Sequence, residues 1–259
     1  MTGTADLLKI LKLIRNYLDE NGIDYYDQAL RLLDERRLGR KFLIGDYIRA
    51  LIYAQLSNQT RWSNISPKLV DIDTLFFNYD ANSILKKRGS YFHSRLLKLK
   101  CGNISTRRQM ESLNGNIKIL RRMESDHGSI DQCCQHFSPE MLVREISRGV
   151  YKMKYLGPAL AWEFLRNVGL DGVKPDLHLR RIFGESRLGL SAKDTATESE
   201  VIDVVTQMSL ACGWPKSLID NLLWNYCAHE TAGCCGARPK CDLCVIKKYC
   251  NHPRETPRP

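Results

Sequence analysis

Four cysteines near the C-terminus have a spacing suited to metal chemistry. They are Cys234, Cys241, Cys244 and Cys250, with six, two and five residues between successive members. Such close spacing brings several thiolates within reach of one metal centre, and four thiolates suffice for a cubane iron–sulfur cluster or for one zinc ion. Zinc sites more often use two close pairs of ligands at their own spacings. Cys235 adjoins Cys234 and competes with it as the first ligand.

The six-two-five spacing resembles the iron–sulfur loop of the endonuclease III family of DNA glycosylases. The resemblance implies that the four thiolates hold a [4Fe-4S] cluster, with Cys234 as the first ligand. It also implies that the basic residues of the first interval, Arg238 and Lys240, approach DNA phosphate. The alternative is a structural zinc knuckle without DNA contact.

A second segment, residues 152–184, resembles the helix-hairpin-helix motif and downstream aspartate of the same superfamily, HhH-GPD. It predicts a helix, a tight turn at Tyr155-Leu156-Gly157 and a second helix from Pro158. Backbone N–H groups at a helix N-terminus bind phosphate, which makes Gly157 and Ala159 candidates for DNA binding.

Two lysines, Lys152 and Lys154, precede the turn, and we expect them to contact phosphate. In the family a lysine of the hairpin attacks the sugar and forms a Schiff base. Alignment of the motif puts Ala159 at that position and Tyr155 at the first glycine of the hairpin. The missing lysine favours a monofunctional glycosylase that uses water.

The next motif, Pro175-Asp176-Leu177-His178, resembles the family's V-D-T-H segment. The resemblance implies that Asp176 is the catalytic carboxylate and that His178 belongs to the DNA-binding residues. A glycosidic bond breaks through a cation-like sugar. A carboxylate either stabilises the charge of that sugar or activates the water that attacks it. The alternative for Asp176 is a plain helix N-cap.

A third motif, Leu56-Ser57-Asn58-Gln59-Thr60, resembles the family segment that enters the duplex when a base is flipped out. The resemblance implies that Gln59 fills the gap and that Asn58 lines the pocket. Extrusion of the base is required because its reacting atoms are hidden in the stack. Adenine-specific members have a catalytic glutamate where this chain has Ala54. The alternative is a helix C-terminus with exposed amides.

Helices must position these motifs, because apolar residues recur at helical spacing along most of the chain and alternation with period two is nearly absent. Ser138-Pro139-Glu140 and Thr197-x-x-Glu200 are typical helix starts. We therefore predict an all-α protein. By resemblance it has two lobes, a helical barrel at 40–166 and a cluster domain made of 1–39 with 167–259, with a DNA cleft between them.

The composition indicates an intracellular protein of cytoplasm or nucleoid. The 259 residues show neither a secretory signal nor an apolar run long enough for a membrane span. In a reducing compartment the ten cysteines favour metal or catalysis over disulfides. Residues 84–122 carry eleven Lys and Arg and one acid, so they account for the whole net charge of +10. This segment predicts a surface that faces a polyanion, or otherwise a solvated helical face.

The resemblance of these motifs implies a monomeric base-excision repair enzyme that binds double-stranded DNA containing a damaged or mismatched base. It would flip the base and hydrolyse its N-glycosidic bond. The alternatives are a bifunctional glycosylase/AP lyase, a non-catalytic binder of DNA lesions on the same scaffold, and a zinc-stabilised helical adaptor.

Overall fold

The described part of the chain contains helices and no strands, which confirms the predicted all-α class. The computed structural model describes residues 4–58, 60 and 62–252, and every regular element within them is a helix. The α-helices are α1 Thr4–Glu20, α2 Gln28–Arg37, α3 Ile44–Leu56, α4 Leu69–Leu75, α5 Ala81–Leu85, α6 Gly89–Lys98, α7 Thr106–His127, α8 Ile130–His136, α9 Pro139–Arg148, α10 Pro158–Arg166, α11 Leu177–Ile182, α12 Glu198–Cys212 and α13 Lys216–Cys227. Short 3₁₀ helices cover Trp62–Asn64, Ser66–Lys68, Phe77–Tyr79, Cys241–Leu243 and Lys247–Tyr249.

Local capping chemistry explains several helix starts. The Ser138 hydroxyl accepts from Met141 N, and Pro139 occupies the first turn of α9, where no N–H partner is needed. Thr197 and Glu200 form the predicted reciprocal capping box of α12. The same helix ends at Gly213, whose φ of 72° is a left-handed conformation that glycine adopts without strain.

The helices group into two compact units. One unit comprises Met1–Arg31 with Asp171–Pro259, and the other comprises Leu32–Leu170. The sequence prediction put the boundaries near residues 40 and 166. Part of α2 belongs to the second unit because Arg36 donates to Val168 O at 2.8 Å and pairs with Asp131 at 3.0 Å.

The core of the first unit forms where the apolar face of α1 packs with α12 and α13. Leu7, Leu11, Ile14 and Leu18 of α1 are buried, as their spacing predicts. In the second unit α3 packs against α7 and α10. Every residue of α3 from Tyr47 to Leu56 except Arg49 is buried. No helix in the described ranges has the length and apolar content needed to cross a membrane.

Candidate functional site

The cysteine loop is anchored to the first unit by one buried tyrosine. The Tyr226 hydroxyl donates to Cys244 Sγ at 3.2 Å and accepts from Val245 N at 3.1 Å. The backbone carbonyl of Tyr226 accepts from Cys234 N at 2.9 Å, so the start and the middle of the loop are both tied to α13. Burial raises the pKa of Tyr226, which keeps its hydroxyl available as a donor to sulfur.

The four predicted ligands are free thiols, the type of donor that both metal centres considered above require. Burial raises the pKa of Cys244, and the charges of Cys235 and Cys234 raise it further. Burial also raises the pKa of Cys250, to about 11. The charge of Cys235 therefore acts on both Cys244 and Cys250, and that of Cys234 acts on Cys244. Within the ranges described, no three His, Cys, Asp or Glu side chains form a group that holds a metal ion.

Cys235 has a different environment from Cys234. The neighbouring Cys227 thiol lowers the pKa of Cys235 against the effect of burial, and the guanidinium groups of Arg187 and Arg181 lower it further. Cys234 instead acts on Tyr17 and raises the pKa of that tyrosine. The two adjacent sulfurs thus differ in these partners, although the charges of both raise the pKa of Cys244.

The two basic residues of the loop differ in their freedom. Both Arg238 and Lys240 are exposed. The Lys240 ammonium folds back to Ala232 O at 3.5 Å, so it already has one partner within its own loop. Arg238 makes no hydrogen bond with any part of the chain that is described, and its guanidinium is available to an anion.

Asp176 caps α11 through one of its two carboxylate oxygens. Oδ1 accepts from His178 N at 2.8 Å and from Leu179 N at 3.2 Å. Oδ2 receives no hydrogen bond from the described residues, and the side chain is only half-buried. The cap predicted as the alternative role is therefore present. It fixes the carboxylate and leaves one oxygen for another partner.

The loop before Asp176 is fastened to the start of α13. Asp171 accepts from Ser217 N at 2.9 Å and from Lys216 N at 3.2 Å. The Ser217 hydroxyl donates to Gly172 O, and Asp220 accepts from Lys174 N at 2.9 Å. These contacts hold the backbone on which Asp176 sits.

His178 is half-buried beside Asp176. Its ring packs edge-on against Trp224 with centroids 6.0 Å apart. Its Nδ1 atom is buried without a hydrogen-bond partner among the described residues, which is uncommon for a polar atom.

The hairpin in the second unit differs in part from the prediction. The second helix begins at Pro158 as predicted, but the first ends at Arg148, so residues 149–157 form a nine-residue connection. The expected helix over Lys152–Lys154 is wrong because the backbone amides there bond elsewhere. Met153 N donates to Ile146 O, and Lys154 N donates to a side chain of α7.

The turn places a non-glycine residue in the left-handed region. Tyr155 has φ of 58°, a conformation that normally favours glycine. This is the position that the motif alignment matched to a family glycine. Gly157 is exposed and begins α10 with extended backbone, while Ala159 is half-buried in the first turn. Lys152 and Lys154 are both exposed.

Asn116 of α7 holds this turn with two hydrogen bonds. Its Oδ1 accepts from Lys154 N at 2.8 Å, and its Nδ2 donates to Lys154 O at 3.0 Å. Gln55 of α3 donates to the same carbonyl through Nε2 at 3.4 Å. Gln55 lies in the helix that leads directly to Asn58, so one polar network connects the hairpin with the segment predicted to enter DNA.

The same network continues towards Asn58. Gln109 donates to Gln55 O at 3.2 Å, and Asn103 Nδ2 donates to Asn58 O at 2.5 Å. Asn58 is half-buried, whereas Gln59 lies outside the described residues. The side-chain oxygens of Gln55 and Gln109 are buried without a partner within the described chain.

Sequence reasoning missed these amides, although a signal was present. Gln109 and Asn116 are buried and share a helical spacing with Leu113 and Leu120 of the apolar face of α7. Polar residues at core positions predict hydrogen-bonded partners. The identity of those partners required the tertiary structure.

A groove of about 640 Å³ in the second unit is lined by none of the predicted site residues. Three of its four carboxylates already have partners. Asp46 pairs with Arg40 at 2.8 Å, Asp73 accepts from Tyr53 at 2.6 Å, and Asp80 caps α5. We therefore place the candidate site at the motifs rather than in this groove.

Comparisons of the chain with protein-family models, with curated proteins and with solved structures find no match. The functional assignment accordingly depends on the residues and geometry of the chain itself.

Proposed function

We propose that the chain is a DNA glycosylase of the helix-hairpin-helix type. It binds duplex DNA that contains a damaged or mismatched base, flips that base out of the stack and hydrolyses its N-glycosidic bond. The observation that carries the proposal is the hydrogen bond from Gln55 Nε2 to Lys154 O. This contact joins the hairpin to the residue directly before the motif at 56–60, about a hundred residues away, and both motifs resemble DNA-contacting segments of one family.

The left-handed turn gives independent support. A glycine of the family motif aligns with Tyr155, and Tyr155 has the backbone conformation for which glycine is the usual residue. The exposed Gly157 and the exposed Lys152 and Lys154 suit contacts with phosphate. In this proposal the backbone of the turn positions the duplex and Gln59 occupies the space left by the flipped base.

Asp176 is the proposed catalytic residue. Because Oδ1 is fixed by two backbone N–H groups, the carboxylate has a defined orientation, and Oδ2 is left to face the reacting sugar or a water molecule. A carboxylate so placed stabilises the developing positive charge on the sugar, and it can accept the proton of an attacking water. Ala159 stands where the family has its lysine, which favours hydrolysis over lyase chemistry.

The cysteine loop suits a [4Fe-4S] cluster held by Cys234, Cys241, Cys244 and Cys250. The support is the chemistry of the donor set, four free thiols in one loop, with a tyrosine hydroxyl directed at one sulfur. When bound, the cluster cross-links the loop through thiolate–iron bonds. Arg238 and Lys240 then contact phosphate from the stabilised loop.

Excision from a panel of lesion-bearing duplexes tests the proposal, with Asp176→Asn beside the wild type. Asparagine retains an oxygen for the α11 cap, so this variant separates catalysis from capping. Asp203→Asn is the matched control, because Asp203 is an exposed carboxylate in the middle of α12. We expect excision by the wild type and by the control only.

Other outcomes would redirect the assignment. Lesion binding without excision of any base would favour a non-catalytic binder. Trapping of a covalent DNA adduct with borohydride would instead assign lyase activity and contradict the argument from Ala159.

A further inference from the structure

The basic segment at 84–122 separates into paired and unpaired cations. Arg107 pairs with Glu111 at 3.0 Å and Arg122 pairs with Asp126 at 3.4 Å, both along α7. Within the described part of the chain, the other nine cations of the segment form no ion pair with a carboxylate, and six of these nine lie on or beside α6: Lys86, Lys87, Arg88, Arg95, Lys98 and Lys100. The excess charge is therefore concentrated at α6.

A stack of planar groups lies among these cations. The Arg95 guanidinium carbon is 3.6 Å from the centroid of the Tyr91 ring, one helical turn away. The Tyr91 ring also stacks with Phe77, with centroids 6.2 Å apart and ring planes inclined by 17°. The Lys87 ammonium lies 5.1 Å from the Tyr91 centroid and 6.0 Å from that of Phe77.

The left-handed turn at Phe77–Tyr79 explains how Phe77 reaches this stack. All three residues have positive φ, between 48° and 65°, which is an unusual backbone conformation for residues other than glycine. Phe76 is fully buried and stacks on Phe92 at 4.7 Å, whereas Phe77 is only half-buried beside Tyr91. The turn therefore directs two adjacent phenylalanines to different environments.

The cations and the ring share one face of α6. Arg88, Tyr91, Arg95 and Lys98 follow one another at intervals of three, four and three residues, which is the spacing of neighbours on a helix surface. The stripe extends over about 15 Å at 1.5 Å per residue. Arg88, Arg95 and Lys98 are exposed, and Tyr91 is half-buried beneath Arg95.

We propose that this α6 stripe binds single-stranded nucleic acid, with an unpaired base stacked on the Arg95–Tyr91 pair and the neighbouring phosphates along the flanking cations. Phosphates account for the charge, because unpaired arginine and lysine side chains attract a polyanion. The stack requires exposed bases, because guanidinium planes and aromatic rings bind the faces of bases that duplex DNA conceals. Every base has such a face, so the stripe binds without a strong sequence preference.

Fluorescence anisotropy with oligothymidylate of about ten nucleotides tests this site, using the full-length chain over a series of salt concentrations. Arg95→Lys is the decisive variant, because it keeps the charge and removes the planar group. Since stacking of one base contributes roughly a factor of 5 to 150 in affinity, we expect at least about fivefold weaker binding. The salt dependence of binding should not change.

Arg95→Gln should weaken binding as well, and it should lower the magnitude of the slope of log K against log salt by about 0.7, the value for one phosphate on a single strand.

Arg107→Lys is the matched control, since Arg107 lies in the same basic segment but pairs with Glu111. It should bind like the wild type. Circular dichroism of each variant checks that the helices are intact. If the Arg95–Tyr91 pair only stabilises α6, its loss changes the melting temperature and leaves binding unaltered. Oligouridylate of equal length serves as a second probe, and the strand that shows the loss with Arg95→Lys identifies the sugar of the ligand.

Wild-type affinity in Arg95→Lys for both strands would overturn the proposal, as would equal losses for single strands and for duplex of the same length. The probes are undamaged and binding is measured without catalysis. The stripe can therefore fail while base excision is found, and it can be confirmed in a chain that excises nothing.

Discussion

The hydrogen-bonded clamp of Asn116 on the hairpin leads to a quantitative prediction. Asn116 is 2% exposed and holds both backbone groups of Lys154, at 2.8 and 3.0 Å. Asn116→Ala removes both bonds without changing the turn sequence. Gln55 remains within 3.4 Å of the carbonyl, so the N–H of Lys154 is the group that loses its partner in the described structure.

The expected cost follows from the two bonds. A hydrogen bond within a protein contributes on the order of 1 kcal/mol net, so Asn116→Ala should lower the free energy of unfolding by about 2 kcal/mol. Lys154 is exposed, and water can partly replace the lost partners. The cost should therefore stay below the full penalty for two unsatisfied buried groups, about 2 to 6 kcal/mol.

Amide hydrogen exchange reports on this contact directly, and urea denaturation gives the free energy of unfolding. In Asn116→Ala the Lys154 amide should exchange faster than in the wild type, because its acceptor is gone. Asn114→Ala is the matched control, since Asn114 of the same helix donates to Lys87 O at 3.0 Å and does not contact the hairpin. It should leave exchange at Lys154 unchanged.

Asn116→Asp sharpens the test through pH. One carboxylate oxygen would still accept from Lys154 N, but the other would oppose Lys154 O, so burial and repulsion should raise the pKa of the new carboxyl. Its neutral form can donate to that carbonyl. Stability should therefore be highest below the pKa of the unfolded carboxyl and fall as pH rises through the folded value. Unchanged amide exchange in Asn116→Ala, or a pH-independent Asn116→Asp, would refute the clamp.

Two further predictions concern the cysteine loop and alkaline pH. Cys234→Ser should lose iron and the visible absorbance of a thiolate–iron cluster. Cys235→Ser should keep both, because Cys235 interacts with the Cys227 thiol. Equal loss in both variants would make Cys235 a ligand. Burial raises the pKa of Tyr53 to about 12 from 10.0, so its contribution to stability is intact below pH 10 and is lost as pH rises towards 12. Tyr53→Phe should make stability less sensitive to pH in that window, and an unaltered alkaline profile would argue against this role of Tyr53.

Helix starts that depend on local chemistry could be predicted from the sequence. The cap of Ser138, the capping box of Thr197 and Glu200 and the start of α10 at Pro158 involve residues within one turn. The cap by Asp176 was also foreseen as an alternative to catalysis, and the structure contains it. Such contacts lie within reach of a sequence pattern because their partners are near neighbours in the chain.

Contacts between distant segments could not be predicted in this way. Asn116 and Lys154 are 38 residues apart, and their pairing prevents the helix that the sequence before the hairpin predicted. The meeting of Phe77 with Tyr91 depends on a left-handed turn of non-glycine residues, for which local preference gives no signal. Tertiary packing fixed these conformations against local propensity.

The rate of base excision by Asp176→Asn in single-turnover conditions tests the central claim most directly. The substrate is the lesion duplex from which the wild type excises the base fastest, with enzyme in excess so that binding does not limit the rate. The asparagine should preserve the cap and the affinity for DNA and slow excision by at least about 100-fold, the lower range for a group that transfers a proton in catalysis. Excision by Asp176→Asn at the wild-type rate would contradict the assignment of Asp176 as the catalytic carboxylate.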